Sequence, residues 1–271
     1  MILIPQDLKG ERFTSPHGIL LKYHCTHQII HQKSFFQNDA LLFVLEGQKH
    51  LSTTNDTFTL QAHECIFIPK GSYTFSNIPL KNSYQALLFF FNEDVLLHQK
   101  CTNSHQSFQK TFKPHHTLYE FFHSLNFTLL TQSHFLSLKF QELLLLLLHF
   151  HPSPTLAFLK HIHSRSHTLL NQLTSHNYLF ESVEEMAHTL KLPPSLFSKR
   201  FKNEVGISPK EWLDLQRFSQ AKKMLLLSDK NITQIATDLN FGSCAWFIKR
   251  FKENYGLTPK QFQKIAKNSY I

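Results

Sequence analysis

Three observations predict an α+β fold. Short apolar runs broken by turn residues fill Ala40 to Asn92, apolar residues recur every three or four positions after Pro114, and a sixteen-residue helical pattern occurs twice near the C-terminus. At 271 residues the chain is long enough for two domains with separate cores. They are read as residues 1–163, a regulatory and dimerisation part, and residues 168–271, an all-α part.

The strands come first. Candidates are Leu41–Leu45, Thr57–Leu60, Cys65–Ile68, Tyr73–Phe75 and Tyr84–Asn92, punctuated by Gly47, Asn55-Asp56 and Pro69-Lys70-Gly71. Many short strands with regular turns point to a sandwich or small barrel, here a cupin-like β-barrel. Seventeen of the nineteen histidines precede residue 170. His27 and His31 would share a face if "HCTHQIIH" were a helix, and His98, Cys101 and His105 form a second cluster. Neither cluster has the partner half of a zinc site, so no metal and no cofactor are expected.

"HTLYEFFHSLNFTLL" and "HFLSLKFQELLLLLLHF" follow as helices. The second is apolar nearly all round by its end and needs cover on more than one side. Burial in the core and a subunit interface through Leu143, Leu144 and Leu147 both satisfy that need. "HPSPT" ends the helix, and "HIHSRSHT" (His161–Thr168) reads as a linker.

The repeat pairs "FSKRFKNEVGISPKEW" (Phe197–Trp212) with "FIKRFKENYGLTPKQF" (Phe247–Phe262), identical at eight of sixteen positions. Upstream, "SVEEMAHTLKL" (Ser182–Leu192) matches "NITQIATDLNF" (Asn231–Phe241). Ser182 with Glu185 fits a capping box. Val183, Met186, Ala187 and Leu190 make one apolar face, and Ile232, Ile235, Ala236 and Leu239 make its counterpart. A helix, a short turn and a second helix, twice over, is the anatomy of two helix-turn-helix units, at about 182–203 and 231–253. They are joined by a long helix over Ser208–Ser228, with Ser208 as N-cap and Pro209 first in the helix.

In each second helix the phenylalanines one turn apart, Phe197 with Phe201 and Phe247 with Phe251, face the core. The opposite face carries Ser195, Ser198, Lys199 and Lys202 in copy one, and Ala245, Ile248, Lys249 and Lys252 in copy two. Arg200 and Arg250 flank it, placed for phosphate. Ser198 and Lys199 can hydrogen-bond bases, whereas Ala245 and Ile248 offer only apolar contact, so copy one is expected to carry more base specificity. The charge agrees: from Asn171 onward there are fifteen Lys and Arg against nine Asp and Glu, pointing to double-stranded DNA.

At these residues the chain resembles the AraC/XylS family of bacterial transcription regulators. The string "ITQIATDLNFGSCAWFIKRFKENYGLTPKQF", with Arg217, Ala221, Leu225 and Leu226 as "R-x3-A-x2-LL" upstream, carries the resemblance. It departs from the family at Asn240, where Gly is usual, and at Gln263, where Arg is frequent. The resemblance implies a sequence-specific activator, with RNA polymerase as a partner, and an N-terminal domain that binds an effector and dimerises. "FQELLLLLLHFHPSP" and "IFIPKGSY" are similar to the branch that activates type III secretion genes, whose members are controlled largely by protein partners.

Nothing in the sequence suggests an enzyme: there is no phosphate loop and no nucleophile elbow. Scattered cysteines without a CxxC pair, and no apolar run of span or signal-peptide length, predict a cytoplasmic protein without a membrane segment. Control is open between a regulatory protein or dimer switch, a small apolar or carboxylated ligand in the barrel, and pH sensing through the histidines. The alternative from another class is a ligand- or metal-binding cupin protein whose basic helical domain serves protein interaction.

Overall fold

The computed structural model describes residues 1–92, 111–164, 168–174 and 179–268. The chain divides into two compact units, Leu3–His167 and Thr168–Ile271, the latter with Met1–Ile2.

The described strands of the first unit are β1 (Ile2–Ile4), β2 (Glu11–Ser15), β3 (Gly18–Cys25), β4 (Ile29–Phe36), β5 (Ala40–Glu46), β6 (Gln48–Ser52), β7 (Thr57–Leu60), β8 (Cys65–Ile68), β9 (Gly71–Ile78) and β10 (Tyr84–Phe91). They build two five-stranded sheets, ordered β1-β4-β9-β6-β7 and β2-β3-β10-β5-β8. The second sheet has two apolar faces, which explains the near-continuous runs "ALLFVLE" and "YQALLFFF". Leu87, Phe89 and Phe91 of β10 point into a core shared with the helices. On the other face Phe90 lies 6.2 Å from Phe36 of β4, centroid to centroid, and the two sheets close on each other there.

The helices that cover the outer face are α1 (His116–His123), α2 (Ser133–Phe150) and α3 (Pro152–Ser164). Phe43 stacks on Phe122 at 4.2 Å and Phe67 on Phe158 at 4.5 Å, while Phe140 meets Phe89 and Phe91 edge-on at 5.5 Å. Gly18 is required beneath this contact, since a Cβ there would lie 2.9 Å from the Phe140 ring and 2.1 Å from the Phe90 carbonyl.

Several expectations are corrected. Residues 2–36 carry four strands not read from sequence, and Gln48–Ser52 a fifth. His27 and His31 share no helix face: His31 sits in β4 at φ 49°, where the register against β9 shifts between Ile29 and Gln32. His98, Cys101 and His105 lie outside the described residues. The first predicted helix stops at His123, and a 3-10 turn, Leu129–Thr131, follows it. "HPSPT" ends α2 at Phe150, as read, but a new helix, α3, starts at Pro152 with its axis turned by 118° and continues through His161–Ser164, where a linker was expected. No single described helix is long and apolar enough to cross a membrane.

The assignment of Leu143, Leu144 and Leu147 to a subunit interface is also corrected. They are 0%, 5% and 0% exposed in the single chain, packed into the core beneath the second sheet. Phe135, Leu138 and Leu145 of the same helix are exposed instead.

The second unit is helical: α4 (Leu169–Thr174), α5 (Val183–Thr189), α6 (Pro194–Val205), α7 (Pro209–Leu227), α8 (Ile232–Asp238), α9 (Cys244–Tyr255) and α10 (Pro259–Asn268). Ser208 and Glu211 form a reciprocal capping box at the start of α7, and Asn231 and Gln234 do the same for α8.

The break between α2 and α3 is titratable. His151 Nε2 accepts the backbone N–H of His115 at 2.8 Å, and His115 Nδ1 in turn caps α1 from Thr117 N–H at 3.3 Å. Burial first, and the neighbouring His115 second, push the His151 imidazole below its ordinary value. A protonated ring has no lone pair to offer, so the folded state binds the proton more weakly than the unfolded one. Stability is therefore full above the unfolded value of about 6.5 and falls as pH drops through it toward the lowered folded value. The urea midpoint of the full chain should fall between neutral and mildly acidic pH, and His151→Gln, which keeps an acceptor, should flatten part of that fall.

Candidate nucleic-acid interface

Each recognition helix is placed by the residues before and after it. Ser182 Oγ accepts Glu185 N–H at 3.0 Å and opens α5. The Glu185 carboxylate does not close the expected box; it accepts Glu181 N–H at 2.6 Å, one residue earlier. The chain leaves α5 and α8 through left-handed residues, Lys191 at φ 54° and Asn240 at φ 52°. Asn240 thus takes the backbone conformation for which Gly is usual, and its short amide side chain tolerates it better than lysine does at the matching position. Copy two then spends one more residue in its turn, with Ser243 Oγ capping α9 from Trp246 N–H at 3.1 Å. Both recognition helices end on left-handed glycines, Gly206 at φ 81° and Gly256 at φ 75°.

The same aromatic device seats both helices. Phe197 and Phe201 lie 5.5 Å apart, with Trp212 6.0 Å from Phe201. Phe247 and Phe251 lie 5.7 Å apart, with Phe262 5.6 Å from Phe251. All four phenylalanines on α6 and α9 are fully buried, and Ala187 and Ala236 are buried where the paired helices approach.

That burial turns the opposite faces outward. Ser195, Lys199, Arg200 and Lys202 are exposed on α6, and Ser198 is half-buried. Ala245, Ile248, Lys249, Arg250 and Lys252 are exposed on α9. The side chains of Lys199, Arg200, Lys202, Lys249 and Lys252 make no hydrogen bond or ion pair with a described residue. Arg250 differs, because Glu253 Oε2 holds its Nη1 at 2.8 Å and the guanidinium lies 6.0 Å from the Trp246 ring.

Arg217 entered the sequence reading only as part of a family string. The structure buries it on α7, where Nη2 donates to the Glu181 carbonyl just before α5, and Nη1 lies 3.7 Å from Asp214. Burial raises the Asp214 carboxyl above its ordinary value, with Lys210 and Arg217 opposing. The Arg217–Glu181 bond ties the central helix to the start of copy one.

Two basic helix-turn-helix units on a shared central helix in one unit, and a two-sheet β domain covered by helices in the other, define a two-domain DNA-binding regulator. Residues 39–159 match the ExsA N-terminal regulatory domain, and residues 186–265 match a helix-turn-helix domain. Together with the relatives below, these matches support an AraC-family regulator of the type III secretion activator branch. It is 27% identical over 225 residues to the virulence regulon transcriptional activator VirF of Yersinia enterocolitica, covering 77% of this chain and 83% of VirF. It is 25% identical to the transcriptional regulator ExsA of Pseudomonas aeruginosa, covering 78% and 81%. The fold is shared with ToxT of Vibrio cholerae in its unsaturated fatty acid-bound form, at TM-score 0.57 and 14% identity over 93% of this chain and 97% of ToxT. These relatives are named as transcription regulators, not as enzymes.

The Arg250–Glu253 pair gives a direct test. An exposed pair of this kind contributes little to stability. Glu253→Ala should leave the melting temperature nearly unchanged, release Arg250 for phosphate, and steepen the salt dependence of DNA binding by about one unit of slope.

Proposed function

We propose that the chain is a sequence-specific transcription activator that reads two successive major-groove segments, one with each recognition helix. The observation that supports this most is the repeated geometry: buried phenylalanine pairs inward, and Lys199, Arg200 and Lys202 or Lys249, Arg250 and Lys252 outward. Two such helices on one frame suit grooves about 34 Å apart along one side of the duplex. Copy one carries the base-specific contacts through Ser195, Ser198 and Lys199. Copy two presents Ala245 and Ile248 to thymine methyls and leaves phosphate contact to Lys249 and Lys252. RNA polymerase is the partner that activation requires.

Selection of the full chain on random duplexes should enrich a motif of two blocks about one helical turn apart. Repeating it with Lys199→Ala should blur one block, at a cost of about 1–3 kcal/mol at that position. Lys249→Ala should instead weaken all sequences alike. Absence of any enriched motif would sink the two-groove reading.

The N-terminal unit supplies control, by an effector or protein partner, together with self-association. Leu143, Leu144 and Leu147 hold α2 to its own domain, so self-association uses the solvent face, where Leu138 and Leu145 stand seven residues apart and are 59% and 67% exposed. Leu138→Glu with Leu145→Glu should lower the sedimenting mass while keeping the melting temperature. Leu147→Ala should instead destabilise the unit by about 2–5 kcal/mol. Unchanged sedimentation of the double variant would remove this face from consideration.

A further inference from the structure

Lys49 is the anomaly of the N-terminal unit. It stands on β6, faces inward between the two sheets and is only 5% exposed. Lysine is almost never buried this deeply without a partner of opposite charge. Its Nζ donates to Asn77 Oδ1 at 2.8 Å and lies 4.1 Å above the Phe75 ring and 5.8 Å from the centre of Tyr84.

The polar groups around it form a chain that can be followed donor by donor. Asn77 accepts from Lys49 and hydrogen-bonds the Tyr23 hydroxyl, which also bonds Cys25. The acceptors in this chain are thereby engaged. An ammonium carries three N–H groups, and Lys49 spends one on a described residue. The Tyr84 hydroxyl is buried with no hydrogen-bond partner among the described residues. Two N–H groups of the charged amine and the Tyr84 hydroxyl remain unspent on described residues. The nearby carboxylate of Glu46 is already taken by Ser83 Oγ and Gln85 Nε2.

We infer that Lys49 and Tyr84, oriented by Asn77, form a binding site for the carboxylate group of a small ligand between the two sheets. A planar carboxylate offers one oxygen to Lys49 and the other to Tyr84, acceptors of the type these unspent donors lack. The walls limit its size: Tyr23 and Tyr84 already lie 6.0 Å apart, and Phe36 and Phe90 6.2 Å. Among rings packed this closely the occupant we infer has few heavy atoms, on the scale of formate or acetate, rather than a long chain.

Burial lowers the Lys49 amine to about 7, with Cys25 opposing. The other titratable groups facing it are Tyr23 and Cys25 on β3 and Tyr84 on β10, and burial pushes both tyrosines upward. Around neutral pH the amine is thus part neutral, and a bound carboxylate draws a proton onto it. Binding is stronger on the acid side of neutrality than on the alkaline side. The inference rests on the N-terminal unit being the sensing half, but not on which DNA the other unit reads.

The test is thermal unfolding of the full chain at fixed ionic strength, with chloride replaced by formate or acetate. The first transition should rise by about 2–4 °C at saturating anion, more below neutral pH than above it, and octanoate should give no such rise. Lys49→Met should abolish the response and Tyr84→Phe should weaken it several-fold. A melting temperature indifferent to the anion, or a Lys49→Met protein that still responds, would overturn the site. Should Lys49→Met not fold, the Lys49 side-chain nitrogen resonance of the unaltered protein decides: formate must shift it, and an unmoved resonance rejects the site. DNA binding measured on the same samples keeps the two readings separate, since it can fail while the anion response stands.

Discussion

A twelve-residue helix is marginal in water by itself, and the DNA-binding unit depends on how α6 and α9 are held. Each is held by two phenylalanines one turn apart, and losing either ring would cost about 3–5 kcal/mol. Because those rings face the central helix side, the residues half a turn away have no choice but solvent. The basic face follows from the buried face. The same rings reach the start of the next helix through Trp212 and Phe262, so seating a recognition helix also sets where its successor begins.

This dependence is why the second unit was legible in the sequence. A 3.6-residue period, aromatic pairs at i and i+4, and glycine after each helix all point to one arrangement, and the duplication states it twice. In the first unit the plainest strands were those with both faces apolar. "ALLFVLE", "CIFI" and "YQALLFFF" read as strands because they lie in a sheet covered on both sides. β4 hides among histidines and lysines on an exposed face, and the bulge at His31 breaks the alternation that would have revealed it. For α2 the sequence showed the need for cover but not its source. A helix apolar nearly all round does not say which side meets its own sheet, and packing against Phe89 and Phe91 decides it.

Within the site, type and exposure of the named residues could be read from periodicity, but their electrostatic state could not. Arg200 and Arg250 occupy matching positions, yet only Arg250 is held by a glutamate one turn on, because copy two has Glu253 where copy one has Asn203. A single exchange between adjacent positions, "KNE" against "KEN", separates an arginine available to phosphate from one already paired. The copies share a scaffold and differ in what they offer to DNA, which is how one frame can combine a base-reading half with a backbone-gripping half.

Lys49 was invisible for the opposite reason. In "GQKHLS" a lysine reads as turn chemistry, and only the pairing of β6 with β9, Lys49 opposite Asn77, turns it inward. One hydrogen bond and an aromatic face offset part of the cost of burying an amine, but leave its remaining donors unspent. Shedding the proton lowers that cost and leaves a neutral amine; gaining an anion lowers it and keeps the charge. Both outcomes draw on the same buried group, so acidity and carboxylate occupancy act on the N-terminal unit as one equilibrium.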